Sequence, residues 1–233
     1  MEELPYIQIA LTALPLLAFI VNLSFGVFMF KRKRLFVNRM FAFLMFAFCW
    51  WNVGEFAMRI ANKENYAMLL LRFINVATPT IPSIALAFVL ALENKTPSRR
   101  QLFLMVLGPL IFIAADIAGL LANNVSLRFD VYMMAPMTFS IRNGYVYFGA
   151  YLMLFTAYVM YRLVRFYRIC DNEMVKRRIR YMLVGALVTT LVTFITEFIV
   201  PLGLSTLGFD IPSLGSFSTI FLTSFTYYSV RSR

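Results

Sequence analysis

The sequence predicts an all-α, polytopic membrane protein, a bundle of seven transmembrane helices. Three observations predict it. First, 61% of its residues are hydrophobic and 14% charged, with a mean hydropathy of +0.76, whereas a soluble domain carries about a quarter charged residues. Second, seven stretches reach the ~20 apolar residues that a helix needs to cross a ~30 Å hydrocarbon layer. Third, the basic residues gather in alternate connections between those stretches.

The predicted helices run over 6–30, 40–61, 67–92, 102–122, 144–165, 180–202 and 213–230, and form a single domain over 1–233. The first starts behind Glu2 and Glu3 and lacks the basic leader of a cleavable signal, so it is expected to remain attached. The longest connection, about Asn123 to Asn143, separates the fourth and fifth helices. Beyond the fifth helix, Arg165 to Arg180 is basic and amphipathic. It reads either as an extension of helices five and six or as a charged loop beside anionic lipid, with Asp171 a candidate cap for helix six. Tyr227 and Tyr228 are expected interface anchors for the last helix.

Charge sets the expected orientation. Lys31, Arg32, Lys33, Arg34 and Arg39 follow helix one; Lys95, Arg99 and Arg100 follow helix three. Arg162, Arg165, Arg168, Lys176, Arg177, Arg178 and Arg180 follow helix five, and Arg231 and Arg233 end the chain. These are 17 of the 22 basic residues. The positive-inside rule puts them in the cytoplasm, with the amino terminus outside and the carboxyl terminus inside a cell membrane. The formal charge of +11 is thus a topology signal, and a nucleic-acid partner is not expected.

Histidine is absent, and the two cysteines, Cys49 and Cys170, are predicted on different levels of the membrane. No catalytic residue, metal site or cofactor is therefore expected.

The candidate site lies among ionisable residues inside the spans. At 1.5 Å rise per residue, Glu55 lies ~24 Å beyond Arg39, Asp116 ~22 Å beyond Gln101 and Glu197 ~26 Å beyond Arg180. Arg72 enters near the outer end of helix three. On helix two, Asn52, Glu55 and Arg59 are spaced i, i+3, i+7 along one face; Arg72, Asn75 and Pro79 repeat that spacing on helix three, and Thr190, Thr193 and Glu197 on helix six. Ser216, Thr219 and Thr223 form a weaker polar stripe on helix seven. Convergence of these stripes predicts a polar cavity opening outward, with Asn52, Glu55, Arg59, Arg72, Asn75, Asp116 and Glu197 as ligand-binding residues and Trp51 as an apolar wall. The competing reading is structural: Glu55 pairs with Arg59 at i, i+4, and Arg72 with Asp116 or Glu197. Trp50 and Trp51, near mid-membrane, either line a pocket or pack. Gly26 and Gly185 are expected at close helix contacts.

Several segments carry a family likeness: Asn22-Leu-Ser-Phe-Gly26 before a basic turn, Cys49-Trp-Trp-Asn-Val-Gly-Glu55, Arg72 followed by Pro79 and Pro82, Asn143-Gly-Tyr-Val-Tyr-Phe148, Arg180-Tyr-Met-Leu-Val-Gly185 and Thr226-Tyr-Tyr-Ser-Val-Arg231. Over nearly its whole length the chain resembles the seven-helix amino-terminal sensor region of prokaryotic membrane histidine kinases. The resemblance implies a receiver for an extracellular or membrane-dissolved small ligand, surrounded by membrane lipid. It also implies a cytoplasmic signalling domain or partner protein, and a homodimer. The chain stops at Arg233 without a glycine-rich ATP box or phospho-accepting histidine, so no kinase activity is expected of it. A small transporter or channel using the same charges as an ion or substrate path is the alternative. Matched broken helices, the mark of inverted repeats, are not visible in the sequence.

Overall fold

The computed structural model describes residues 4–32, 36–121, 125–128, 131–134, 144–196 and 214–231. Eight helices lie among them: α1 (Leu4–Lys31), α2 (Phe36–Arg59), α3 (Glu64–Ala77), α4 (Thr80–Leu92), α5 (Arg99–Ile117), α6 (Gly144–Ile169), α7 (Glu173–Phe194) and α8 (Gly215–Arg231). Among the described residues, five helical segments are long and apolar enough to cross a membrane: Ile9–Lys31, Phe36–Arg59, Glu64–Leu92, Arg99–Ile117 and Val146–Ile169. The chain is a multi-pass membrane protein.

The third predicted helix is broken. Pro79 and Pro82 supply no backbone N–H, which frees carbonyls one turn back and clashes with a regular ladder. α3 accordingly ends at Ala77, and α4 starts at Thr80. At the break, the Ile81 N–H turns to Thr78 O (3.3 Å) and the Thr80 hydroxyl takes its place on Ala77 O (2.6 Å), while Ile74 O keeps the Thr78 N–H (3.0 Å) and also accepts from the Thr78 hydroxyl (2.9 Å). From α6, Tyr151 donates to Pro79 O (3.1 Å).

The connection after α5 holds an antiparallel hairpin, β1 (Val125–Arg128) and β2 (Val131–Met134), with Val125 opposite Met134. Val125 is buried against Met58 of α2 and Ala67, Leu71 and Ile74 of α3. The hairpin was not anticipated, because its strands are only four residues each.

α6 and α7 both reach beyond the predicted spans, to Ile169 and back to Glu173. Asn172, rather than Asp171, caps α7: its carboxamide oxygen accepts from the backbone N–H of Met174 (3.0 Å) and Val175 (3.2 Å). Asp171 lies one residue too early to satisfy those donors. Ser98 and Gln101 form a capping box at the start of α5.

α2 is the central strut. Phe41, Met45 and Phe48 are enclosed by Met29 of α1, Leu86, Val89 and Leu90 of α4, Val159 and Leu163 of α6, and Ile179 and Met182 of α7. Between apolar helices in lipid, close packing rather than water exclusion supplies the attraction, so small residues mark the contacts. A Cβ at Gly26 would meet Phe46 at 3.0 Å and Met45 at 3.2 Å; one at Gly185 would meet Leu222 Cα of α8 at 3.1 Å. α5 lies at the margin, with Leu102, Phe103, Leu104, Val106, Leu110 and Ile111 facing outward.

Candidate functional site

Seven of the eight predicted site residues lie on α2, α3 and α5, and five of these are deeply buried polar groups: Asn52, Glu55, Arg59, Asn75 and Asp116. Glu55 and Arg59, one turn apart on α2, form an ion pair, and Arg59 also donates to the Leu11 carbonyl of α1. Each charge is 2–3% exposed. Such a pair persists in a dry interior only when further hydrogen bonds share the load, and the α1 carbonyl is one of them. Asn75 of α3 donates to Asp116 Oδ1 of α5 at 2.8 Å. The partner of Asp116 is thus an amide, not the predicted arginine. Arg72, at i−3 from Asn75, is exposed.

Asn52 is 0% exposed, and neither its amide nitrogen nor its oxygen has a hydrogen-bond partner among the described residues. It lies seven residues from both Met45 and Arg59, so all three share one face of α2. Met45 meets Thr223 of α8, and Arg59 meets Leu11 of α1; that face is turned toward the first and last helices. A buried amide left without partners typically costs about 1–3 kcal/mol, which makes Asn52 the most conspicuous polar group in the bundle.

α2 and α3 approach closely beside these residues. A Cβ at Gly54 would lie 2.6 Å from Ile74 Cγ1. Gly54 precedes Glu55 and Ile74 precedes Asn75, so the contact holds both polar groups at one level of the two helices. Trp51 is half-buried against the main core and the hairpin cluster. Trp50 is 42% exposed; it lies against Phe73 (centroids 5.1 Å apart) and donates to its carbonyl at 3.1 Å. Glu197 lies outside the described residues.

Two polar groupings were missed as sites. In the first, Asn22 of α1 donates to Thr219 Oγ1 of α8 at 2.7 Å and accepts from Thr223; all three are fully buried. The stripe on the last helix signalled half of this clasp, but nothing marked Asn22 as its partner. α7 joins α8 nearby, with Thr189 donating to Ser218 O at 2.8 Å. The second grouping closes the basic end of the bundle. Arg162 of α6 binds Glu93, just beyond α4, through Nε (3.2 Å) and Nη2 (2.5 Å), and Lys95 joins at 2.9 Å. Burial pushes the Glu93 carboxyl up, but the hydrogen bonds from Arg162 and Lys95 outweigh it and hold the group below its ordinary value.

No cluster of three or more metal-ligating side chains occurs among the described residues. A comparison with curated proteins finds no match. Residues 14–232 match a family model described as the N-terminal 7TM region of histidine kinase, and the match covers no kinase catalytic domain.

Proposed function

We propose, for a chain that belongs to the family of N-terminal seven-transmembrane regions of histidine kinases, that it forms one signal-sensing domain over 1–233. On this reading it has seven spans, with its amino terminus outside and its carboxyl terminus in the cytoplasm. It binds an extracellular or membrane-dissolved ligand and passes a change in helix packing to a cytoplasmic signalling domain or partner. The distribution of basic residues supports the orientation. The homodimer implied by the family resemblance is part of the same proposal.

The observation that carries the reading is Asn52, a buried amide with no hydrogen-bond partner among the described residues, three positions before Glu55 of the buried ion pair on α2. A group left unsatisfied in one packing gains the most from another packing or from a ligand, and only such a difference in free energy moves a two-state equilibrium. The proposed responsive site comprises Asn52, Glu55, Arg59, Asn75 and Asp116, with Trp51 as an apolar wall and Arg72 and Glu197 at its outer edge. Asn22, Thr219 and Thr223 then connect α2 and α1 to α8, the helix nearest the output.

The test is output from the sensor carrying Asn52→Leu or Glu55→Gln at equal membrane abundance. Basal signalling is expected to shift by about fivefold or more in each, the low end of ordinary coupling energies. Unchanged output in both variants overturns the site. Solute flux through liposomes holding only the purified chain would favour a transporter instead.

A further inference from the structure

A cavity of about 370 Å3 lies between α2, α4, α6, α7 and α8. We propose that it is a binding site for a neutral, lipid-soluble molecule that enters sideways from the bilayer, its apolar body in the cavity and its one carbonyl or hydroxyl group held by Thr156 and Thr190. None of the lining residues among those described is ionisable. Phe48 and Trp51 come from α2, Pro82 and Ala85 from α4, Leu152 and Met160 from α6, and Phe194 from α7. The size falls in the range of about 300–1,000 Å3 usual for small-molecule sites. A charged headgroup would enter without a counter-charge, at a cost of at least a few kcal/mol.

The threonines give the site its polarity. Among those lining it, Thr78 donates to Ile74 O, Thr189 to Ser218 O, and Thr193 shares a hydrogen bond with Ser218 Oγ. Thr156 and Thr190 have no hydrogen-bond partner among the described residues. A helical threonine normally returns its hydroxyl to a carbonyl in the preceding turn. Here α6 and α7 each leave one hydroxyl unused beside the same apolar space. Thr156 lies ~18 Å along α6 from Gly144, and Thr190 ~15 Å along α7 from Arg180, so both sit near the middle of a ~30 Å hydrocarbon layer. Water is scarce at that depth, and an unpaired hydroxyl there favours a ligand that can pair with it. The doorway is visible in the exposure pattern: Met153, Ala157 and Leu191 line the cavity and also face outward, on the adjoining sides of α6 and α7.

Binding to this cavity stands or falls apart from signalling. The chain has two tryptophans; Trp51 lines the cavity and Trp50 points away. In a Trp50→Phe background, Trp51 becomes the single reporter. The purified chain in nanodiscs is titrated with a long-chain methyl ketone brominated at mid-chain, a short-range quencher. Saturable quenching is expected. Replacing both hydroxyls by methyls of equal size (Thr156→Val with Thr190→Val) is expected to raise the half-saturation concentration roughly five- to tenfold, the value of one or two hydrogen bonds. Ala186→Phe, which fills the cavity, is expected to remove the saturable component. Quenching that rises linearly with bulk probe in every variant overturns the proposal, as does unchanged half-saturation in the double valine variant.

Discussion

Arg59 is held on two sides, by a carboxylate of its own helix and a carbonyl of α1. Removing it takes the guanidinium from the Glu55 carboxylate in a dry interior, whereas removing both charges removes the need for either. Arg59→Ala should therefore destabilise the protein by about 3–5 kcal/mol, and Glu55→Ala with Arg59→Ala by much less. Thermal unfolding midpoints of the single and double variants check this; additive losses would deny the coupling. Asn75→Ala removes the hydrogen bond to Asp116 and should cost about 1–3 kcal/mol, while Asn75→Asp should be worse because it places two carboxylates together. The i, i+3, i+7 spacing on α2 was enough to put Asn52, Glu55 and Arg59 on one face. The spacing on α3 was not enough for Arg72: on a helix with one buried and one outward face, a residue three positions from Asn75 sits near the boundary, and neighbouring helices decide its side. The sequence does not carry those positions.

Among the elements, α7 and α8 are joined where Gly185 faces Leu222 and Phe225. A methyl group there would press on backbone as well as side chain, so Gly185→Ala should cost about 1–3 kcal/mol through overpacking. Differential scanning in detergent would show the loss as a lower unfolding midpoint. At the basic end, Glu93 clasps α6 through Arg162. Its carboxyl titrates below the ordinary value, so the fold favours the ionised form. The stabilisation is complete above about pH 4.3, the unfolded-chain value, and disappears as pH falls through the lower folded value. Glu93→Gln should thus lower the unfolding midpoint at neutral pH, with the gap to the parent closing under acid; a gap constant with pH would contradict the clasp. Helix positions were legible because apolar runs of the required length are hard to conceal. The split between α3 and α4 had its cause in plain view, in Pro79 and Pro82, but proline alone does not distinguish a kink from a break. Hydroxyls of Thr78 and Thr80 and the reach of Tyr151 from α6 settle it, and the last is a tertiary contact.

For the whole molecule, orientation is the decisive expectation. Cys49 is buried within α2, while Cys170 lies half-buried between α6 and α7 at the basic end. A membrane-impermeant thiol reagent should therefore label the protein at Cys170 in inside-out vesicles and leave right-side-out vesicles unlabelled. Labelling of Cys170 in intact cells would reverse the proposed topology.

The clasp of Asn22 by Thr219 and Thr223 has a consequence for biogenesis. α1 leaves the ribosome well before α8, yet its amide is satisfied by that later helix. Until α8 arrives, Asn22 stays an open polar group in hydrocarbon. A ribosome product cut short before Gly215 would keep that group permanently unmet, a ready mark by which membrane proteolysis could tell an unfinished bundle from a finished one.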